Sequence, residues 1–343
     1  MDPSAQASRR ALLRIAAVAT AGGALAAVPL PAHAHPGRRF PRTLNVTAPG
    51  LYPEGVAWDP RREAFLVGSS AQGTVSVVRA DGSVTPLVTP FARVSVLGIH
   101  VDARHDRILA TYTDYFLRRL GMVDPTLPPV NGVGVFSLAT GAPQRLVPVS
   151  AGSPVEPRVN DVTADRRGDI YVTDTEIDTV TRITRDGEVA GVITDDRFLT
   201  SGTGPNGIAH HPGGFVLVGK YDEGRLFRID RPRSARPRVS EVRLDRPPVS
   251  VDGIAVRPDG SLVVVANDLS LPGGRTSRDS VLVYRSTDHW RSARLVREHT
   301  WPFEDPTTVA VTPHGEYAIS GGLREILTGT PSATPGQFQL RRR

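Results

Sequence analysis

Four oxygen-bearing side chains recur at one phase of a repeating pattern in this 343-residue chain. They are Glu54 in Pro53-Glu54-Gly55-Val56, Asn160 in Val159-Asn160-Asp161-Val162, Asn206 in Pro205-Asn206-Gly207-Ile208 and Asp252 in Val251-Asp252-Gly253-Ile254. Each is followed by a small residue or Asp, then by a β-branched residue. Two carboxylates and two amides offer only oxygen ligands and two negative charges. That set suits a hard divalent cation, calcium first, with water or substrate completing about six or seven positions. Without a cation, Glu54 and Asp252 would repel each other and need protonation for relief. Neither His nor Cys stands at these positions, which disfavours zinc. Asn or Asp before Gly is, taken singly, an ordinary turn former. The same phase in four repeats, with Glu54 where a turn has no use for Glu, points instead to a metal site.

Side chains so far apart in sequence can meet only if a repeated element carries each to a common axis. Two weaker copies, Val96-Leu97-Gly98-Ile99 and Pro306-Thr307-Thr308-Val309, bring the count of repeats to six, with neighbours roughly 45 to 65 residues apart. That spacing is the range of a four-stranded propeller blade with loop insertions. In the first unit Gly55–Trp58, Ala64–Ser69, Thr74–Arg79 and Val84–Thr89 read as strands, with turns at Asp59–Arg62 and Asp81-Gly82. The third repeats this over Asp161–Ala164, Ile170–Thr173, Thr179–Thr184 and Val189–Ile193. No helical periodicity of useful length intervenes. The last unit shows Thr308–Val311, Glu316–Ser320, a Gly/Thr/Pro-rich run and Gln337–Arg341, so Thr43–Thr47 is expected to complete it and close the ring. The expected fold is an all-β, six-bladed β-propeller with the four donors at the starts of innermost strands.

Loop polarity adds a direction. The tight turns fall on one face, and the long connections Thr113–Gly132, Thr194–Gly204, Asp268–Asp279 and Glu298–Asp305 fall on the face where inner strands begin. Variable loops on a rigid scaffold are where a ligand site is expected. Tyr115, Phe116, Leu117, Leu120 and Met122 could make Thr113–Gly132 a lid over the channel, or a packed surface loop.

Composition narrows the classes. With 39% hydrophobic residues the chain can bury a core, and 33 Gly with 30 Pro favour turns over long helices. Of 41 basic residues only Lys220 is lysine, and the arginines are scattered without interleaved aromatics, so the net charge of +6 does not mark a nucleic-acid surface. No cysteine means no disulfide and no thiolate site. Residues 1–34 read as a twin-arginine export signal: Ser8-Arg9-Arg10 leads a Gly/Ala-rich apolar run, and Ala32-His33-Ala34 offers a cleavage site. The mature domain is expected over 35–343, secreted or periplasmic and free of the membrane after cleavage. A monomer is expected.

Secondary candidates remain. Lys220 ends the second strand of the fourth unit on the site face, and a lysine, unlike arginine, can lose its proton when desolvated, so it is a tentative catalytic residue. Asp161, Asp174 and Asp268 fall near the same face as supporting carboxylates. His210 and His211 are expected to serve turns or packing.

On Pro53-Glu54-Gly55, Asn160-Asp161, Gly204-Pro205-Asn206-Gly207 and Asp252-Gly253, the chain resembles the senescence-marker-protein/gluconolactonase/luciferin-regenerating-enzyme family of calcium-dependent propellers, whose scaffold diisopropyl fluorophosphatase shares. The resemblance spans about residues 42–340 and implies that Glu54, Asn160, Asn206 and Asp252 bind calcium, with Asp252 also the base or nucleophile. It departs at Leu97, which makes one quadrant apolar, and at Thr307, where no histidine stands. The arginine and asparagine that hold a sugar lactone find no match. The resemblance implies a hydrolase acting on a lactone, a related ester or a phosphotriester. A non-catalytic propeller, with a structural calcium and a loop face that binds a ligand or partner protein, stays open beside it, as does a propeller lyase.

Overall fold

Strands of four to nine residues carry almost all the regular structure in a computed structural model of the chain, which describes residues 40–343 except 151–152, 200–201, 270–278, 304, 330 and 333. The export signal expected over 1–34 lies outside the described residues. The strands form six sheets, each an antiparallel meander of four, and the fifth gains an outer parallel strand where Arg243–Leu244 lies against Ser292–Ala293. The chain is a six-bladed β-propeller.

Alternation within each strand explains the ring. In blade one Phe65 and Val67 face the last blade, while Ala64 and Leu66 face blade two. Successive side chains point to opposite faces, so a strand sandwiched between two neighbours must be apolar throughout, and Ala64–Gly68 is buried at every position. The core is therefore six separate apolar layers, one per blade interface. The ring closes as expected: Thr43–Thr47 pairs antiparallel with Gln337–Arg342 as the outer strand of the last blade. Phe40 fastens that joint, packing edge-on to Trp58 of blade one at 5.4 Å and to Tyr317 of blade six at 5.7 Å.

Two short helices depart from the all-strand expectation. Helix α1, Tyr115–Arg119, sits inside the long second-blade connection. Helix α2, Leu323–Thr328, occupies the last blade's Gly/Thr/Pro-rich run, where no helix was expected. Gly322 and Gly329 adopt left-handed conformations at its two ends (φ 69° and 72°), which suits glycine and confines the helix to six residues. The connection expected over Glu298–Asp305 is shorter than that, because Ser292–Thr300 is one strand.

Candidate active site

Each donor sits at or just before the start of its inner strand, Glu54 two residues ahead of Val56, and in the other blades save the fifth the ladder is irregular there. Ladder register shifts between Val96 and Ile99, Val159 and Val162, Pro205 and Ile208, and Pro306 and Thr308. A bulge re-aims the side chains it carries, and in blades three and four it encloses Asn160-Asp161 and Asn206-Gly207. In blade five the strand proper begins at Ile254, and Asp252 N–H donates to the Val265 carbonyl at 2.9 Å.

The small residue is a packing requirement. A Cβ on Gly55 would lie 2.0 Å from the Leu97 carbonyl oxygen, and one on Gly207 would lie 2.2 Å from that of Asp252. Neighbouring inner strands approach too closely for a side chain. Hydroxyls from adjacent blades then hold the donors' carbonyls: Thr111 Oγ1 donates to Asn160 O at 2.6 Å, Thr173 Oγ1 to Asn206 O at 2.6 Å and Thr307 Oγ1 to Glu54 O at 2.7 Å. The Gly207 N–H donates to Asp252 O at 3.0 Å. Thr307 thus positions Glu54 through the backbone, and Leu97 is buried beside it.

All four donors are buried, between 3% exposed for Asp252 and 8% for Glu54. Burial and the neighbouring Asp252 and Asp161 carboxylates push Glu54 well above the usual carboxylate range, although Arg158 pulls the other way. Burial raises Asp252 to about 7, against hydrogen bonds from Asn267 and Asn206. The Asn160 Oδ1 atom is buried and accepts no hydrogen bond. A buried amide oxygen without a donor, at the same inner-strand position as two carboxylates that a nearby arginine does not relieve, suits a cation site. Among the described residues no group of three or more His, Cys, Asp or Glu side chains could hold a metal. Any metal here would rest on this mixed amide and carboxylate set, and all-oxygen donors suit calcium over zinc.

Two cavities flank this neck. The upper one, about 410 Å³, is lined by Tyr115, Phe116 and Leu120 of the α1 segment, by Ile326 and Leu327 of α2, and by Arg158 with Glu176 and Thr203. Its walls come from blades two, three and six and the loop into blade four, so it spans the channel mouth on the face where inner strands begin. The connection expected over Thr113–Gly132 thus contributes to a cover: Tyr115, Phe116 and Leu120 face the cavity, whereas Leu117 is packed in the core and Met122 is exposed. The lower cavity, about 360 Å³, reaches the hairpin-turn face near Pro60 and includes Asp161, His100 and His210. Neither cavity is lined by the four donors. Arg158 above and Asp161 below are the groups whose charge reaches both Glu54 and Asp252.

Several supporting residues have other partners than expected. Lys220 is buried, but its ammonium donates to the Leu199 carbonyl at 2.7 Å and to Glu223 at 2.9 Å, not to the donor set. Asp161 accepts from Val162 N–H and from Ile208 N–H of blade four, and burial raises it to about 7. Asp174 accepts from the Arg158 N–H at 3.0 Å and so anchors the segment leading to Asn160. At Asp268 the backbone N–H donates to Asp279 and the carbonyl accepts from Arg324. His211 stacks on Phe215 with ring centroids 4.4 Å apart, a packing role as expected, while His210 lines the lower cavity.

Two residues of the site were not legible in the repeat. Asn267 donates to both Asp252 Oδ2 and the Pro306 carbonyl, and its Oδ1 accepts from Tyr221 at 2.7 Å. Its signal is positional: it follows the apolar second strand of blade five, as Asp174 and Lys220 end those of blades three and four. Arg158 stands two residues before Asn160. Its guanidinium is fixed by Thr175 at 2.7 Å and Glu176 at 2.7 Å and lies 4.9 Å from the Tyr115 ring centroid.

No protein-family model matches the chain, and no curated protein matches its sequence. Solved structures do resemble it. The major allergen Mala s 1 of Malassezia sympodialis superposes with a TM-score of 0.65 at 18% identity, covering 88% of this chain and 95% of that one. A gluconolactonase from Xanthomonas campestris gives 0.56 at 18% identity over 87% and 88% of the two chains. A calcium-binding regucalcin from Agrobacterium tumefaciens gives 0.55 at 16% identity over 86% and 92%. At such identities a likeness carries architecture, and the architecture is common to all: this chain is a six-bladed β-propeller of the kind found in the gluconolactonase and regucalcin structures.

Proposed function

We propose that this protein is an exported, calcium-dependent hydrolase that opens a lactone or a related ester at the propeller axis. The observation that carries the reading is the buried, unpartnered Asn160 Oδ1, in the same blade position as two carboxylates held above their usual range. Glu54, Asn160, Asn206 and Asp252 would hold the cation. Bound there, calcium would polarise the substrate's carbonyl or phosphoryl oxygen and stabilise the charge that develops on it. The likeness to a gluconolactonase supports the hydrolytic reading, and that to a calcium-binding regucalcin supports the metal. Export rests on the twin-arginine segment.

The chain's own chemistry centres on Asp252. Its carboxylate, held ionised once a cation is bound, would serve as the general base. Amides of Asn267 and Asn206 fix its orientation. Asp252 takes a proton from water as the water oxygen bonds to the carbonyl carbon. As the ring C–O bond breaks, the departing alkoxide takes that proton back, leaving a hydroxy acid. Lys220, already paired with Glu223, supplies charge balance to its own loop and no step here.

Burial of the donor set also favours a second reading, a non-catalytic propeller whose calcium only ties the blades together while the loop face binds a ligand. Asp252→Asn separates them. A hydrolase loses about two to four orders of magnitude in turnover of lactone or ester substrates while its fold persists. Weaker metal binding in this variant, in a protein whose wild type turns over no lactone, ester or phosphotriester, would leave the binding platform.

A further inference from the structure

The upper cavity defines a substrate class narrower than lactones at large. We infer that it receives a neutral lactone or ester carrying an apolar chain or ring, gripped between α1 and α2; the inference rests on the hydrolase reading for the fate of the bound molecule, not for its binding. About 410 Å³ lies within the range of small-molecule sites. Two short elements supply apolar lining: Phe116 and Leu120 from the α1 segment, Ile326 and Leu327 from α2.

The polar groups between those walls already have partners. Arg158 is paired with Glu176 at 2.7 Å. Arg119 is paired with Glu156 at 2.9 Å and covers the Tyr115 ring at 3.3 Å from its centroid. A polyhydroxylated sugar lactone would need several donors and acceptors aimed at its hydroxyls, and paired charges do not supply them. An alkyl or aryl substituent needs only removal from water, which these walls provide. Leu120, 45% exposed, gains cover when such a group enters. The walls also set the orientation. The substituent lies against these side chains, and the ester carbonyl points past Arg158 to the neck, since Arg158 is the lining residue two positions before Asn160.

The test is a chain-length series on the calcium-loaded protein: γ-butyrolactone, γ-hexalactone, γ-decalactone and gluconolactone, with calorimetric binding of γ-decalactone in chelator as a second readout. Each methylene that becomes buried should raise kcat/KM about fourfold, and gluconolactone should fall below γ-decalactone. Leu327→Asp and Leu120→Asp, both checked for an unchanged melting profile, should cost γ-decalactone at least about tenfold more than γ-butyrolactone. A flat series, a preference for gluconolactone, or equal losses on both substrates would overturn the inference even while hydrolysis persists. If no lactone is turned over, γ-decalactone binding that Leu327→Asp and Leu120→Asp abolish upholds the pocket and removes only the hydrolase reading. No binding to the wild type would sink the pocket itself.

Discussion

Folding withdraws the Asn160 amide oxygen from water and gives it no donor. An unpaired buried acceptor costs about 1–3 kcal/mol, and the raised Glu54 and Asp252 carboxyls add to that whenever they ionise. The sign of the pH effect follows. A carboxyl whose folded-state pKa is raised binds its proton more tightly folded than unfolded, so the metal-free protein is stabilised at low pH. That advantage is lost as pH rises from about 4 toward Asp252's value of about 7. In chelator the protein should melt at a lower temperature at pH 8 than at pH 5.5. Calcium should narrow the gap by holding Glu54 and Asp252 ionised, and Asp161, also raised to about 7 by burial, should leave a remainder. Melting curves at the two pH values, with and without calcium, check this; an unchanged gap would show that the donor set holds no cation. At this scale the four donors were legible because a shared phase exposes them. Arg158 and Asn267 were not, since each occurs once and takes its meaning from a neighbour brought by folding.

Elements turn that phase into a place. Inner-strand starts bring the donors to the axis, on bulges at Asn160 and Asn206, and the glycine after Glu54, Asn206 and Asp252 lets the next blade approach. Gly207→Ala would put its Cβ 2.2 Å from the Asp252 carbonyl oxygen. Backbone cannot yield as a flexible side chain does, so we expect a loss of about 1–3 kcal/mol in unfolding free energy, with weaker calcium binding. Gly191→Ala, where an added Cβ meets nothing within 4 Å, should stay within about 0.5 kcal/mol. Denaturant titrations of both variants decide whether close strand approach is what the motif encodes. Strands were readable here because turn residues bound short apolar runs at fixed offsets. Helix α2 was missed because glycines, threonines and prolines surround it. Leu323, Ile326 and Leu327 do carry the i, i+3, i+4 spacing of a helical face, but over only six residues. Likewise, the α1 segment's aromatics announced apolar surface without saying which of them face the cavity, since that depends on α2, some two hundred residues away in sequence.

On the scale of the whole molecule, the ring brings four residues separated by up to 198 positions (252 − 54) to inner-strand starts around one axis. Its closure was legible because the last unit visibly lacks a strand and the first residues of the domain supply one. The shape of the upper cavity was not, because blades two, three and six build it together and no one repeat contains it. The same ring makes the proposed site measurable as a single number: calcium bound per chain. Elemental analysis of the purified protein, paired with thermal unfolding before and after a chelator, is the most direct test. We expect about one calcium per chain and a clear fall in melting temperature on chelation, both lost in Asn160→Ala with Asp252→Asn. No bound divalent metal after incubation with calcium, and a melting temperature indifferent to chelator, would contradict this expectation and leave Glu54, Asn160, Asn206 and Asp252 as packing residues of the propeller neck.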